Sequence, residues 1–283
     1  MYKWNKPYNL IMSIKRSYVS KYGLDTLCFE TWLKKLNEPY YNSIFDCLEI
    51  SQYNEFLLIR YGIGALQPSM WKEKDSIYRE FRSIVIDLVS EEIVLCPFRK
   101  FFNIDETEDT SQTEILKRMK NAKHIEFTNK LDGSMQSVRY YDNQFIMSGS
   151  REMDKSKSWR LTDGYNMLTD NHKRMIKDNS DFTFIFEFIS LKDAHVVIYK
   201  KEQEGLYLIG ARNVFNGNEL NYCELKEIAD NYNVSMTEIE NITLEEAIEK
   251  TKTIKCNEKE GWVLNLDGFK VKIKCDDYVE LHN

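Results

Sequence analysis

Lys130-Leu131-Asp132-Gly133-Ser134 places a lysine two residues ahead of an Asp-Gly turn, directly after the strand-like run Ile125-Glu126-Phe127-Thr128. A lysine in that position can be a nucleophile. At its reference pKa of about 10.4 the amine is neutral in only roughly four molecules per ten thousand at pH 7, so attack needs neighbours that favour the free base. By composition alone such a tetrad arises in about one chain of this length in fifteen. A strand-to-turn junction with a solvated lysine would look the same, so the tetrad needs company. Glu187 stands in the apolar run Phe184-Ile185-Phe186-Glu187-Phe188, where a carboxylate is costly unless a sugar hydroxyl, a metal or a lysine partners it. Glu260-Gly261 opens the last hairpin, where glycine lets the backbone approach a ligand. Lys272 and Lys274 follow on one strand face, two cations suited to a phosphate whose negative charge builds up during in-line substitution. Cations near Lys130 would also lower its pKa.

The elements that must position these residues are mostly strands. Ile84–Val89 and Ile93–Leu95 read as a buried hairpin, and Phe56–Tyr61 as a strand. Further strands are expected at 125–128, 136–141, 144–148, 182–189, 196–199 and 206–209. Helices are expected at 25–36, at 111–119 with Thr110 or Ser111 as cap, and at 244–250, where Thr243 and Glu246 have capping-box spacing. Asp267-Gly268 is the two-residue signature of a type I′ hairpin joining 262–266 to 269–274. Period-two alternation puts Lys270, Lys272 and Lys274 on one face and Phe269, Val271 and Ile273 on the other. A lysine-rich, solvated edge strand would show the same pattern. Strict alternation also places Glu260 on the packed face, opposite Lys272 and Lys274, so a shared site requires the strand to bulge or to begin after Gly261. Many strands with a few inserted helices indicate an α+β fold.

At 283 residues the chain can bury one large core or two modest ones, and with only 4 Pro and 11 Gly it has little material for long linkers. No apolar run approaches the roughly 18 residues of a membrane span, and no signal-peptide pattern follows Met1. The expected location is cytoplasmic. Six scattered cysteines read as free thiols, and the dispersed His124, His172, His195 and His282 give no zinc or Cys-His site. A net charge of −6 counts against nonspecific coating of nucleic acid while allowing a local basic groove.

The order Lys-x-Asp-Gly, a glutamate in an aromatic strand, Glu-Gly and Lys-x-Lys resembles the covalent nucleotidyltransferases, the ATP-dependent ligases and capping enzymes. Within them it is most similar to the bacteriophage tRNA-repairing RNA ligases of type 1. The segments carrying the likeness are Glu80–Ile84, Pro97–Asn103, Lys130–Ser134, Phe186–Phe188, Arg212, Glu260–Val263 and Lys272–His282. The resemblance implies a nucleotidyltransferase fold of antiparallel sheets flanked by helices. It implies one such domain over 1–283, with an N-terminal part (1–107) carrying Arg82 and Lys100 and a core (108–283). It also implies three steps: Lys130 attacks the α-phosphate of ATP and releases pyrophosphate, AMP passes to an RNA 5′-phosphate, and a 3′-hydroxyl displaces AMP. Lys130, Asp132, Lys272 and Lys274 would be catalytic. Arg82, Lys100, Phe102, Gly133, Arg151, Glu187, Lys272 and Lys274 would bind the nucleotide, and Glu260 would hold Mg2+ or Mn2+. The implied partner is RNA with 5′-phosphate and 3′-hydroxyl ends, a broken tRNA among the options. The protein is expected to act as a monomer away from membranes, in the host cytoplasm if virus-encoded. Transfer to another acceptor, as in a capping-type guanylyltransferase, and a non-sealing nucleotide or RNA-end binder remain alternatives.

Three positions depart from the family pattern: Ser83 and Glu152 stand where glycine is usual, and Asp193-Ala194-His195 replaces an expected Asn-Arg pair. Neither a C-terminal tRNA-specificity domain nor an OB domain is expected after Lys274.

Overall fold

Which faces of the sheets meet is decided by alternation along the strands. A computed structural model describes residues 48–62, 77–90 and 92–282. In them the strands are β1 (Leu48–Tyr53), β2 (Phe56–Tyr61), β3 (Arg82–Asp87), β4 (Ile93–Leu95), β5 (Phe102–Asn103), β6 (Ile125–Lys130) and β7 (Ser134–Tyr141). They continue with β8 (Gln144–Gly149), β9 (Phe182–Ile189), β10 (Gly205–Asn213), β11 (Ile239–Glu240), β12 (Gly261–Leu266) and β13 (Phe269–Lys274). The α-helices are α1 (Gln112–Asn121), α2 (Trp159–Asn166), α3 (Asp170–Asp178), α4 (Tyr222–Tyr232), α5 (Leu244–Thr251) and α6 (Asp276–His282).

Three sheets result among the described residues: the meander β1-β2-β3-β4, the antiparallel sheet β10-β9-β7-β8, and the sheet β11-β6-β12-β13-β5. This is the α+β arrangement of antiparallel sheets flanked by helices. In β9 the side chains of Phe184, Phe186 and Phe188 enter a core with Leu161 of α2, Met175 and Ile176 of α3, and Leu225 and Ala229 of α4. Glu187, between two of them, therefore faces the other way. In β12 and β13, Trp262, Leu264, Val271 and Ile273 pack against Ile115 of α1, Leu244 and Ala247 of α5, and Tyr278 of α6. Their opposite faces, carrying Val263, Asn265, Lys270 and Lys272, look across a cavity toward Met135 and Glu187. Burying one face of each sheet under helices leaves the other two faces to form the site. No helix among the described residues is long and apolar enough to cross a membrane.

The expected strands at 56–61 and 182–189 and the Asp267-Gly268 hairpin are present, the turn with φ of 51° and 96° at its two residues. Thr243 caps α5 by accepting a hydrogen bond from Glu246 N at 3.1 Å, and Ser111 caps α1 in the same way. The lysine-bearing strand β13 lies between β12 and β5, so its lysines do not guard a free edge, and Lys270 and Lys272 face the cavity. Residues 196–199 do not form a strand. Instead, Val196 N and Val197 N donate to Asp132 Oδ2 at 2.9 and 3.0 Å, which fixes this apolar segment as a strap over the lysine loop. Helices α2, α3 and α4 were not expected: Trp159 apart, their exposed faces are mostly polar, and each buries only two or three residues, although Ser158, Thr169 and Asn221 cap them. The helix expected at 25–36 lies outside the described residues.

Candidate active site

Lys130 ends β6 in register with Gly261, which is also paired with Lys274. Glu260, one residue earlier, carries its carboxylate to both amines: Oε1 lies 2.7 Å from Lys130 Nζ and 3.6 Å from Lys274 Nζ. The backbone at Gly261 makes this possible. Its φ of 146° is poorly open to side-chain-bearing residues, and a Cβ there would sit 2.0 Å from Ile273 O. The strand begins at Gly261, so Glu260 escapes the alternation that would have put it on the packed face. Lys272 joins the same cavity wall. Burial holds its ammonium well below the ordinary lysine range, and the charges of Arg82, Lys130, Lys274 and Lys100 push it the same way. Lys130, Lys272, Lys274 and Arg82 outnumber the carboxylates of Glu260 and Glu187 beside them, a balance that favours an anion.

Arg82, at the start of β3, also lines the cavity. Its guanidinium carbon is 5.3 Å from the Phe101 ring centroid, and its Nη1 is buried without a hydrogen-bond partner among the described residues. A buried, unpaired charged donor is expensive and suits an incoming oxyanion. Ser83, where the family usually has glycine, adopts the left-handed φ of 66°, and its Oγ donates to Ser150 O at 2.7 Å. Lys100 Nζ lies 4.5 Å from the Tyr61 ring centroid and 5.1 Å from that of Phe102, in an adjoining cavity that shares Phe101, Glu219 and Lys270 with the first. Phe102 is buried beneath Lys100 and Arg79, whereas Phe101, passed over in the sequence, is the ring that reaches both cavities. Buried Arg212 fixes this edge by bonding Pro97 O at 2.8 Å and Glu80 Oε2 at 3.0 Å, while Arg99 holds Glu80 Oε1 at 2.8 Å.

The loop after Lys130 is held by its own acidic residue. Asp132 Oδ2 accepts the two strap amides, Oδ1 accepts Tyr278 Oη–H at 3.0 Å, and Asp132 N donates to Tyr199 Oη at 2.8 Å. With both oxygens so engaged, Asp132 pins the loop that follows Lys130. Gly133 is needed for close approach: a Cβ would lie 2.4 Å from Phe188 O, and its N–H donates to Glu187 Oε1 at 3.0 Å. Asp193 accepts from Ser134 Oγ at 3.1 Å and binds Arg160 through two bonds of 2.8 and 2.6 Å. Its place in the loop network, and that of Arg160, had no signal in the sequence beyond the departure from the family pattern. Glu152 turns back to accept from Met153 N and Asp154 N, and Arg151 beside it is exposed and is not among the residues lining the cavity.

Burial pushes the Glu187 carboxyl up to about 7, against the pull of Lys130 and the Gly133 N–H and with the push of Glu260. Because its folded pKa exceeds the ordinary 4.5, the native state binds the proton more tightly than the unfolded chain. Stability therefore falls as pH rises from about 4.5 to about 7 and then levels. Glu187→Gln should match the wild type near pH 5 and exceed it above pH 7 by on the order of 3 kcal/mol. Thermal melts of both ligand-free proteins at the two pH values check this, and a difference independent of pH would refute it.

No group of three or more His, Cys, Asp or Glu side chains gathers to cage a metal among the described residues. Glu260 offers a single carboxylate, with Glu187 close enough to feel its charge. A hard cation such as Mg2+ keeps water and takes phosphate oxygens, needing only one or two carboxylates. The donor set therefore fits a divalent ion arriving with a polyphosphate.

A family model described as RNA ligase matches residues 80–278. Solved structures of a Naegleria gruberi RNA ligase are similar: the form with pyrophosphate gives a TM-score of 0.50 and a lysine-to-methionine mutant with AMP and Mn gives 0.51, both at 19% identity over 66% of this chain. An apo lysine-to-alanine mutant of the R4a form gives 0.50 at the same identity. The likeness shows the fold, and this chain spans 58% of the length of those structures. No curated protein matches.

Proposed function

The chain belongs to the RNA ligase family, and on that premise we propose that it is an ATP-dependent RNA ligase working through a lysyl-AMP intermediate. The observation that carries this reading is Lys130 Nζ set 2.7 Å from Glu260 Oε1, with Lys274 at 3.6 Å from the same oxygen and Lys272 and Arg82 in the same wall. That is an amine beside a ready-made polyphosphate cradle.

In the first step the Lys130 nitrogen forms a bond to the α-phosphorus of ATP as the bond to pyrophosphate breaks. The proton that the ammonium must shed has Glu260 Oε1 as its nearest acceptor. Lys272, Lys274 and Arg82 meet the charge that grows on the phosphate oxygens. Glu187, which accepts from Gly133 N and lines the cavity, would bond the ribose or hold the lysine loop. Glu260 with the nucleotide phosphates would hold Mg2+ or Mn2+, which supplies positive charge to the departing pyrophosphate and favours the neutral amine. The P–N bond then breaks as an RNA 5′-phosphate oxygen takes the AMP, and an RNA 3′-hydroxyl displaces AMP to seal the strand. We assign these steps to one nucleotidyltransferase domain over 1–283, acting as a monomer in the cytoplasm on RNA ends, a broken tRNA among them.

Incubation with α-labelled ATP and Mg2+ should attach label covalently to the protein, and RNA with 5′-phosphate and 3′-hydroxyl ends should then be sealed. Preference for labelled GTP would move the reading to a capping-type guanylyltransferase. Labelling without sealing of single-stranded, tRNA-loop and nicked duplex substrates would make it a non-sealing protein, and no labelling by either nucleotide would refute covalent transfer.

A further inference from the structure

We propose that Trp159 is a stacking platform for an unpaired base of the RNA end presented to the lysine loop, an inference that rests on the RNA-ligase reading. Trp159 opens α2 and is 40% exposed, much for an indole in a protein that buries Trp262 completely. It stands edge-on to Phe188, with ring centroids 6.2 Å apart. Phe188 is in register with Ser134, and its carbonyl is the group that a Cβ on Gly133 would strike. The indole therefore stands on the helix side of the β9–β7 pair, at the end of that pair where the loop carrying Lys130 enters β7.

Two cations flank this ring, and one of them ties it to the same loop. Arg160 lies with its guanidinium carbon 4.9 Å from the indole centroid and pairs with Asp193, which in turn accepts from Ser134 Oγ. Lys192 Nζ is 5.9 Å from the indole centroid and pairs with Asp163 at 2.9 Å. Because both cations already have carboxylate partners, their attraction for phosphate is largely satisfied locally. What the site keeps available is the aromatic surface. An exposed aromatic set against a rigid ring, with a guanidinium over part of it, is the chemistry that takes a nucleobase, and stacking tolerates any of the four because each has a π-face. One ring among polar neighbours is too small for a protein interface, which needs a contiguous patch of several hundred Å2.

The test uses a 5′-phosphorylated single-stranded RNA of about ten nucleotides with wild type, Trp159→Ala and Trp159→Phe. Trp159→Ala should weaken RNA binding and raise the KM for RNA in sealing by about 10- to 100-fold, while ATP-dependent self-adenylylation stays within about twofold. Trp159→Phe should recover most of the affinity. Unchanged RNA affinity and KM in Trp159→Ala, with the wild type sealing normally, would overturn the platform. Failure of the wild type to self-adenylylate or seal would overturn the RNA-ligase reading instead, and the binding titration still scores the platform. Should Trp159→Ala lose self-adenylylation as well, tryptophan fluorescence decides. RNA should quench the wild type more than Trp159→Phe at equal saturation, and equal quenching would refute stacking on this ring.

Discussion

Lys130→Arg loses covalent labelling by α-labelled ATP as completely as Lys130→Ala, by about a thousandfold or more, even though arginine keeps the positive charge beside Glu260. The physical ground is the difference between a cation and a nucleophile. A guanidinium is protonated at any working pH and has no lone pair to offer phosphorus, whereas an ammonium can be discharged. Lys130 stands 2.7 Å from Glu260 Oε1, so an arginine there could still satisfy the carboxylate and hold the fold. Labelling of Lys130→Arg at even a tenth of the wild-type rate would mean that the amine is not the attacking group. The reaction sequence gives a second arm. Sealing of RNA that already carries AMP on its 5′-phosphate forms no bond to Lys130, so both variants should retain a large part of that step while losing the first. Loss of both steps together, in folded protein, would point to a structural role for Lys130.

What could be read from the chain differs between chemistry and geometry. Lys130, Glu187, Glu260, Lys272 and Lys274 were legible as types in order, because a carboxylate in an aromatic strand and lysines alternating on another are costly choices without a partner. How they meet was not legible. Alternation put Glu260 on the wrong face, and only the φ of 146° at Gly261 reverses that, a backbone choice that a glycine permits without dictating. Asp132 is the converse case. Its tetrad marked it for chemistry, yet its oxygens hold Val196 N, Val197 N and Tyr278 Oη, partners 64 to 146 residues away. No local pattern announces such contacts. The same long-range bonds explain why residues 196–199, apolar enough for a strand, became a strap. Phe101 and Phe102 were indistinguishable by type, and their roles parted once the short parallel pairing of Phe102 with Val271 turned the neighbouring ring toward the cavities.

Ser83 shows the limit of reading by family pattern alone. A missing glycine suggested altered loop geometry, but the serine takes the left-handed conformation and spends its hydroxyl on Ser150 O. An unfavourable backbone of about 1–2 kcal/mol is partly offset by that hydrogen bond. Arg82 thereby keeps its place at the cavity, with Nη1 still unpaired among the described residues.

Gly261→Ala is the substitution expected to do the most damage to the fold and the site together. The added methyl would lie 2.0 Å from Ile273 O and 2.8 Å from Lys274 Cα, both backbone atoms of the neighbouring strand, so no side-chain rotation relieves it. Either β12 and β13 separate or Gly261 abandons φ of 146°, and each route moves Glu260 away from Lys130 and Lys274. Strain and overpacking together cost on the order of 3 kcal/mol, which corresponds to a fall in Tm of about 6–12 °C for a domain of this size. Self-adenylylation measured well below that Tm should still fall at least about tenfold, because the carboxylate beside the amine is misplaced even where the protein is folded. Gly268→Ala provides the contrast. It also has a positive φ, 96°, but its nearest neighbour would be Glu219 Oε2 at 4.0 Å, so it carries backbone strain of about 1 kcal/mol and should leave labelling intact. Equal labelling by Gly261→Ala and Gly268→Ala below both melting temperatures would show that Glu260 does not need the backbone path that Gly261 gives it.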